Sequence, residues 1–561
     1  MVYFQHRTKE ALMAQREVSV SPTGEKFPIP QAGDHAAEMR RLSKLAAAAR
    51  RQGREVVVVM GVGFVGSVMA AVIADSVDRR TKKPSKMVIA MQRPSPRSYW
   101  KIPLINRGVS PVKAEDPEVP QIIRRCVVEK KTLTATFTYE ALKLADVVVV
   151  DVQCDYHKAS LGNVRTGGAD VAALEASFAI IAEHIRPDAL VLIETTVAPG
   201  TTQQVAYPIM KKIFERRGIG AEPLLAHSYE RVMPGRNYVA SIRDYWRVCA
   251  GVNAKARAKV VRFLGEVLNT DRYPLTVLDR PIESETAKIV ENSYRAAVLA
   301  FMDEWSIFAE RNGVDLRKVI EAIKVRPTHS NILFPGPGIG GYCLPKDGGL
   351  GIWAYRHILG WDDDIFKITP MAIDINDTRA LHVGQLVRDA LRNMGRPIAA
   401  ADVLILGAAY REDVGDTRYS GSEIVARKLT EMGAMIRVHD PYLDHWWELE
   451  AQDTYPHPGS SWARFFARQD KLRQIRLERD MWRAMKGVDA LVLAVRHQPY
   501  LRLDPDRVRR AAGRPLAVID CFCILDDDRI RRYFELGCEV KGMGRGHIQR
   551  IKESVRKGRG K

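Results

Sequence analysis

A β-branched run, "REVVVVM", leads straight into "GVGFVG" and then into "SVMAAVIADSV" at helical spacing. No other stretch narrows the possible folds so far, because a strand must end, the chain must turn tightly and a helix must start at once. Gly61 permits the turn, Gly63 lets a pyrophosphate approach the backbone, and Gly66 lets helix and strand pack closely. Phe64 and Val65 fill the other places at the helix amino terminus, which faces the phosphates of a dinucleotide. Further apolar runs follow at 86–91, 145–152, 189–196 and 223–228, the last three separated by helical patterns over 169–186 and 201–217. Such alternation predicts a parallel sheet covered on both faces.

The 561 residues exceed what one core can organise, so about two or three domains are expected. Hydrophobic residues at 46% with 27% charged describe a globular chain, and no apolar run approaches the roughly 18–20 residues of a membrane span. The first residues, "MVYFQHRTKE", lack the apolar core of a secretory signal. Seven cysteines without a paired spacing point to a reducing interior, hence the cytoplasm, and Cys521 and Cys523 read as strand-end residues. The net charge of +19 is spread along the chain, concentrated only at 78–86 and 547–561. Without a nucleic-acid motif it reads as solvated basic faces that attract anionic metabolites, and no nucleic-acid partner is expected.

The fold class expected is α/β: two Rossmann-like doubly wound parallel-sheet domains joined by a long central helix. Residues 1–53 form a basic extension containing a short amphipathic helix, 54–280 the dinucleotide-binding domain, and 281–395 a central helical region, helical from 283 to 324 and again over 366–393. The second α/β domain spans 396–545, with four strands read from "ADVLILGAAY", "GAMIRVHD", "VDALVLAV" and "PLAVIDC" and a Trp-rich insertion at 443–480; a basic tail, 546–561, follows.

Several short motifs carry polar groups to positions where ligands bind. At the end of the second strand the usual acid that holds the adenosine ribose is missing; Gln92 can still bond a ribose hydroxyl, and Arg93 could welcome a 2′-phosphate. The cofactor is a nicotinamide dinucleotide, with NADP left open beside NAD. "ETTVAPGTT" places Thr196 after one strand, where hydroxyls could equally cap a helix, and "SYERVMPG" places Glu230 and Arg231 after another. On the long helix Lys288 and Asn292 share a face, with Arg295 three residues on; a solvated face would show the same spacing. The loop "GPGIGGYCLPKD" sets Cys343 beside Lys346 and Asp347. Its glycines, among them Gly338, Gly340 and Gly341, allow main-chain amides to close around an anion or sugar, and the neighbouring cation favours a thiolate. No metal site is expected.

These stretches, in this order, resemble the UDP-glucose/GDP-mannose dehydrogenase family, from about residue 54 to about 540 and including "LGAAYREDVGDTRYS". The resemblance implies NAD-dependent oxidation of a nucleotide sugar's C6 alcohol to a carboxylate in two hydride transfers. It implies that Cys343 forms a thiohemiacetal and then a thioester, that Lys288 stabilises oxyanions, and that Asn292 and Asp347 position water or share protons. Thr196 and Glu230 would serve the water and general-base step. Arg411 and Arg418 would hold the nucleotide diphosphate, and Arg231, Arg295, Gly338, Gly340, Gly341 and Tyr342 would line the sugar nucleotide. The chain departs from the family at Gln92, at Tyr229 in place of a common proline, and at Cys154–Asp155, where the family's Thr-Pro makes a cofactor contact that Cys154 would inherit. "ERVMPG", "ENSYR" and "ILFPGPGIGGYC" look most like the branch acting on UDP-N-acetylhexosamines, with UDP-glucose and GDP-mannose as alternatives. A homodimer through the long helix is expected. The rival reading is a nucleotide-sugar-binding protein that kept the fold and lost turnover.

Overall fold

The computed structural model describes residues 17–559 apart from 234, 447, 451–465 and 467–468. Residues 1–16 of the expected extension, the centre of the Trp-rich insertion and the last residues of the basic tail lie outside the described residues.

Two short strands, β1 (Val18–Val20) and β2 (Lys26–Pro28), form an antiparallel hairpin ahead of the helix Ala32–Arg51. In that helix Leu42, Ala46 and Ala49 recur at i, i+4 and i+7 and are buried. Arg41 donates to Thr134 Oγ1 at 2.9 Å, and Glu38 accepts from the Thr136 hydroxyl at 2.7 Å. Residues 17–53 are therefore packed on the first domain and complete its core.

The first sheet is built on β3 (Glu55–Met60), whose residues after Glu55 are all buried. Val57 and Val59 face a core shared with the helix Phe64–Asp75, while Val56, Val58 and Met60 face a second core shared with Leu42 and Ala46. Burial on both faces is what an unbroken valine run requires. Around β3 stand β4 (Lys86–Met91), β5 (Leu133–Thr136), β6 (Val147–Val150), β9 (Leu190–Ile193), β10 (Leu224–His227), β11 (Val248–Gly251) and β12 (Thr276–Val277), in the order β12-β11-β10-β9-β6-β3-β4-β5. A small hairpin, β7 (Asp155–His157) with β8 (Gly168–Asp170), leaves the carboxyl end of β6.

One pairing departs from the all-parallel sheet expected: β10 and β11 are antiparallel. The connection between them stays at the carboxyl edge, where the short helix Tyr238–Arg243 packs into the core beside the Phe64–Asp75 helix. β11 thus starts from the edge at which β10 ends, and the 228–235 motif remains at the ligand-binding edge.

The second sheet is wholly parallel, in the order β14-β13-β15-β16-β17, from β13 (Asp402–Leu406), β14 (Met435–His439), β15 (Ala490–Leu493), β16 (Ala517–Asp520) and β17 (Glu539–Gly542). Four of these were expected; β17, "EVKG", is too short and charged to read as an apolar run. Cys521 directly follows β16, and Cys523 lies in the adjoining turn with φ +53°.

Between the two sheets run the central helix Pro281–Arg311 and the helix Ile368–Asn393. The helical stretch expected over 283–324 breaks at Asn312–Gly313, where Gly313 takes φ +68°, and resumes as Leu316–Lys324. Asn376 donates to the Ala296 carbonyl at 2.9 Å, and buried Arg379 reaches Ser306 at 2.6 Å and Glu310 at 3.4 Å. These bonds fix the two helices against each other and so fix the face that carries Lys288 and Asn292. Among the described residues no helix is long and apolar enough to cross a membrane.

Candidate active site

Four elements converge on Cys343. The central helix supplies Lys288 and Asn292, both buried, and the carboxyl end of β10 delivers Glu230 and Arg231. The loop 336–346 carries Tyr342 and Cys343, and the helix Asp347–His357 opens on Asp347. The Cys343 carbonyl accepts the amides of Lys346 at 3.1 Å and Asp347 at 3.0 Å, which seats the thiol residue on that helix's first turn. Lys346 Nζ pairs with Asp347 Oδ1 at 2.8 Å, and Asn292 Nδ2 donates to Oδ2 at 2.7 Å, so both carboxylate oxygens are held. Lys288 Nζ donates to the Glu230 carbonyl at 2.8 Å and lies 3.4 Å from Glu230 Oε1. Buried Tyr229 lies under two cations, Lys288 and Arg231, each 5.4 Å from its ring centre; Arg231 also pairs with Glu291 at 3.1 Å.

The charge balance at the thiol runs opposite to the sequence expectation of a thiolate. Cys343 is half-buried, and its thiol is pushed up to about 11, by burial first and then by Asp347 and Glu230, against the lowering effect of Lys288 and Lys346. The expected cation is present, yet the Lys346 charge is matched by Asp347 and the Lys288 charge by Glu230. Burial disfavours the Lys288 ammonium, but Glu230, Cys343 and Asp347 more than offset it and raise its pKa, so it stays charged. Beneath these groups lie Asp151 and Glu194, at the carboxyl ends of β6 and β9. Glu194 pairs with Arg247 at 2.7 Å with both side chains buried, and burial together with Glu194 and Glu230 pushes the Asp151 carboxyl well up. Asp151 ends an apolar run without a recognisable motif, and Glu194, although it opens the "ETTVAPGTT" stretch, is not singled out there.

The glycine turn fits a dinucleotide. Gly61 takes φ +106°, and a Cβ there would meet the Asp151 carbonyl oxygen at 2.4 Å. A Cβ on Gly66 would meet the Gly61 oxygen at 2.0 Å, whereas one on Gly63 would meet nothing within 4 Å, which leaves the space a pyrophosphate needs. Val65 is half-buried on the first turn of the helix, and Phe64 stacks on Tyr238 at 4.8 Å. Gln92 Oε1 accepts the Val62 amide at 2.9 Å, binding the glutamine to the glycine turn; Arg93 follows it. Cys154, 1% exposed, is packed within the core that also holds Ile193, Ala198 and Leu350 rather than lining the cleft. Its neighbours Gln153 and Asp155 line the cleft instead. Thr196 is half-buried in the loop after β9.

The thiol-loop glycines are required by close packing as well. A Cβ would come 2.3 Å from the Asn376 carbonyl oxygen at Gly338, 2.5 Å from Tyr410 Cβ at Gly340 and 2.9 Å from the Tyr410 ring at Gly341. The Gly341 amide donates to the Arg418 carbonyl at 2.9 Å. The loop is thereby pressed against the second domain. Arg418 pairs with Asp416 at 2.7 Å and lies 5.3 Å from the Tyr342 ring and 5.6 Å from the Phe64 ring, joining the second domain to both the thiol loop and the glycine turn. The Tyr342 hydroxyl donates to Asp155. Arg411 is half-buried beside Glu412, and Arg295 is exposed, beyond the edge of the packed site. A cleft of about 1730 Å³ runs between the domains, with Phe64, Gln153, Asp155, Tyr342 and Arg418 on its walls.

Three domain models of the UDP-glucose/GDP-mannose dehydrogenase family match the chain: the NAD binding domain over 55–268, the central domain over 282–377 and the UDP binding domain over 404–527. Among curated relatives, UDP-N-acetyl-D-mannosamine dehydrogenase of Pyrococcus horikoshii is 27% identical over 450 residues, covering 79% of this chain and 91% of that protein. The enzyme of the same name from Yersinia pestis is 26% identical over 386 residues, covering 67% and 83%. The crystal structure of NDP-N-acetyl-D-galactosaminuronic acid dehydrogenase from Methanosarcina mazei Go1 superposes with TM-score 0.69 at 26% identity, covering 91% of this chain and 98% of that one.

The raised thiol makes a direct prediction. Iodoacetamide labelling of the Cys343 peptide in the ligand-free protein, followed by mass spectrometry, should accelerate about tenfold per pH unit through pH 9.5 without levelling. Asp347→Asn removes a raising charge and should speed labelling at pH 8, while Lys288→Ala removes a lowering one and should slow it. A plateau below pH 9 would contradict this balance.

Proposed function

The chain belongs to the UDP-glucose/GDP-mannose dehydrogenase family, and on that premise we propose that it oxidises the C6 alcohol of a UDP-N-acetylhexosamine to the uronic acid with NAD. The observation that carries this reading is the set of groups around Cys343: a fixed ammonium, a carboxylate at a strand end and a carboxamide–carboxylate pair. When bound, the dinucleotide supplies a hydride acceptor, once for each of two oxidations. In the first, the alcohol's proton leaves to solvent, Lys288 stabilises the alkoxide, and C6 gives its hydride to the dinucleotide, leaving an aldehyde. An aldehyde has no further hydride to give until a nucleophile adds. The Cys343 sulfur then bonds to C6, its proton passing to the carbonyl oxygen, which suits a thiol that is neutral at rest. Loss of hydride and of the hydroxyl proton converts this thiohemiacetal to a thioester. Water, deprotonated by Glu230 and positioned by Asn292 and Asp347, cleaves it to the acid and returns the thiol.

Gln92 retains its amide nitrogen for the adenosine ribose, and Arg418, Arg411 and the Gly338–Tyr342 segment face the nucleotide diphosphate and sugar. The N-acetylhexosamine preference rests on the "ERVMPG", "ENSYR" and "ILFPGPGIGGYC" motifs and agrees with the names of the relatives. Free cysteines throughout favour the cytoplasm. A panel of UDP-N-acetylhexosamines, UDP-glucose and GDP-mannose, each with NAD, tests the assignment. Two reduced cofactors per acid are expected, with the acetylated UDP-sugars best. Activity on GDP-mannose alone would refute the branch, and binding of nucleotide sugars without any cofactor reduction would favour the non-catalytic rival.

We infer in addition that the central helix pairs with a second copy of the chain. Val290, Tyr294, Phe301, Trp305 and Phe308 recur along one side of it and are all at least 45% exposed, a stripe that no soluble single chain gains from leaving in water. Trp305→Glu should shift light-scattering mass from dimer to monomer at micromolar concentration; a wild-type protein that is already monomeric there would refute the inference.

A further inference from the structure

The hairpin β1–β2 lies before residue 55, where the match to the family begins. Its anchors show where it acts. Buried Ser19 donates to the Pro96 carbonyl at 2.8 Å and accepts the Trp100 amide at 3.1 Å. Glu25 takes two guanidinium nitrogens of Arg107, each at 2.8 Å, and Arg107 lies 5.5 Å over the Phe27 ring. Pro96, Trp100 and Arg107 all belong to the segment that leaves the carboxyl end of β4 just after Gln92. In a dinucleotide fold the adenosine ribose lies beside that strand end. The hairpin turn therefore stands on the adenosine side of the sheet. It also faces the inter-domain cleft: Pro22 and Thr23, both exposed, line it together with Phe64 of the glycine motif.

Lys101 lines the same cleft. Burial pushes its ammonium below the usual lysine value, and among the described residues no carboxylate stands within ion-pairing distance of it. A half-buried cation facing a cleft without a counter-ion fits an anion brought by a ligand.

We propose that the amino-terminal hairpin and Lys101 form the adenosine end of the cofactor site, with Pro22 and Thr23 closing over the adenosine and Lys101 facing its phosphate. The ligand is the ADP half of the nicotinamide dinucleotide, so the inference rests on the cofactor reading above. The arrangement supplies from outside the family's matched region an adenosine contact at the strand end where Gln92 stands in place of an acid.

Calorimetric titration of the full chain with ADP-ribose and, separately, with UDP tests this. Thr23→Trp fills the wall from an exposed position and should weaken ADP-ribose about tenfold or more, and Lys101→Met about fivefold, with UDP affinity within about twofold in both. Unchanged ADP-ribose affinity in Thr23→Trp overturns the proposal. Weakened UDP with ADP-ribose unaffected overturns it too, by assigning the hairpin to the sugar nucleotide. Wild-type protein that binds no ADP-ribose removes the cofactor reading and this inference together, a result seen before any variant is made.

Discussion

Asp347 is held on both oxygens, by Lys346 from its own loop and by Asn292 from the central helix, at 2.8 and 2.7 Å with all three side chains buried. This junction ties the thiol loop to the helix that carries Lys288, and through the loop glycines to the second domain. Removing Lys346 would leave the Asp347 charge buried without its ion partner, which typically costs about 3–5 kcal/mol, and losing the Asn292 bond about 1–3 kcal/mol. The geometry of the site is therefore set by helix packing and one clamped carboxylate, while the loop's own flexibility is suppressed by contact with Asn376 and Tyr410. Because Asp347 also raises the Cys343 thiol, the group that fixes the nucleophile in place is one that keeps it protonated at rest.

A protonated resting thiol suits a reaction in which sulfur is needed only after the first oxidation. Free thiolate would be exposed to alkylation and oxidation while the site waits for substrate. Here the charge is withheld by burial and by Asp347, while the Lys288 ammonium stays charged beside the thiol. Glu230 holds Lys288 through both its carbonyl and its carboxylate.

Much of this could be read from residues alone, for physical reasons. The glycine turn was legible because backbone sterics at Gly61 and Gly66 leave no alternative, and Lys288 with Asn292 because helical spacing puts them on one face. Cys343 stood out as a thiol in a glycine-rich loop beside Lys346 and Asp347. The failures have equally definite causes. Cys154 and Asp155 are adjacent, and only the strand's exit direction decides that the thiol enters the core while the carboxylate meets Tyr342. The close packing of the loop glycines against the Asn376 carbonyl and Tyr410 could not be read from the sequence, since it depends on distant residues. β5, "LTAT", and β17, "EVKG", are too polar to announce themselves, and the hairpin's role depends on contacts with Pro96 and Arg107 about 80 residues away in the chain.

The central claim is that Cys343 carries the second oxidation. The direct measurement is single-turnover analysis of Cys343→Ala, counting reduced cofactor and uronic acid together against wild type. Cofactor and nucleotide sugar should still bind, since neither needs the thiol. Wild type should give two reduced cofactors per acid, while the variant should interconvert alcohol and aldehyde and make almost no acid. Acid formed by the alanine variant at near wild-type rate would mean that water alone hydrates the aldehyde productively, and the covalent route would be wrong.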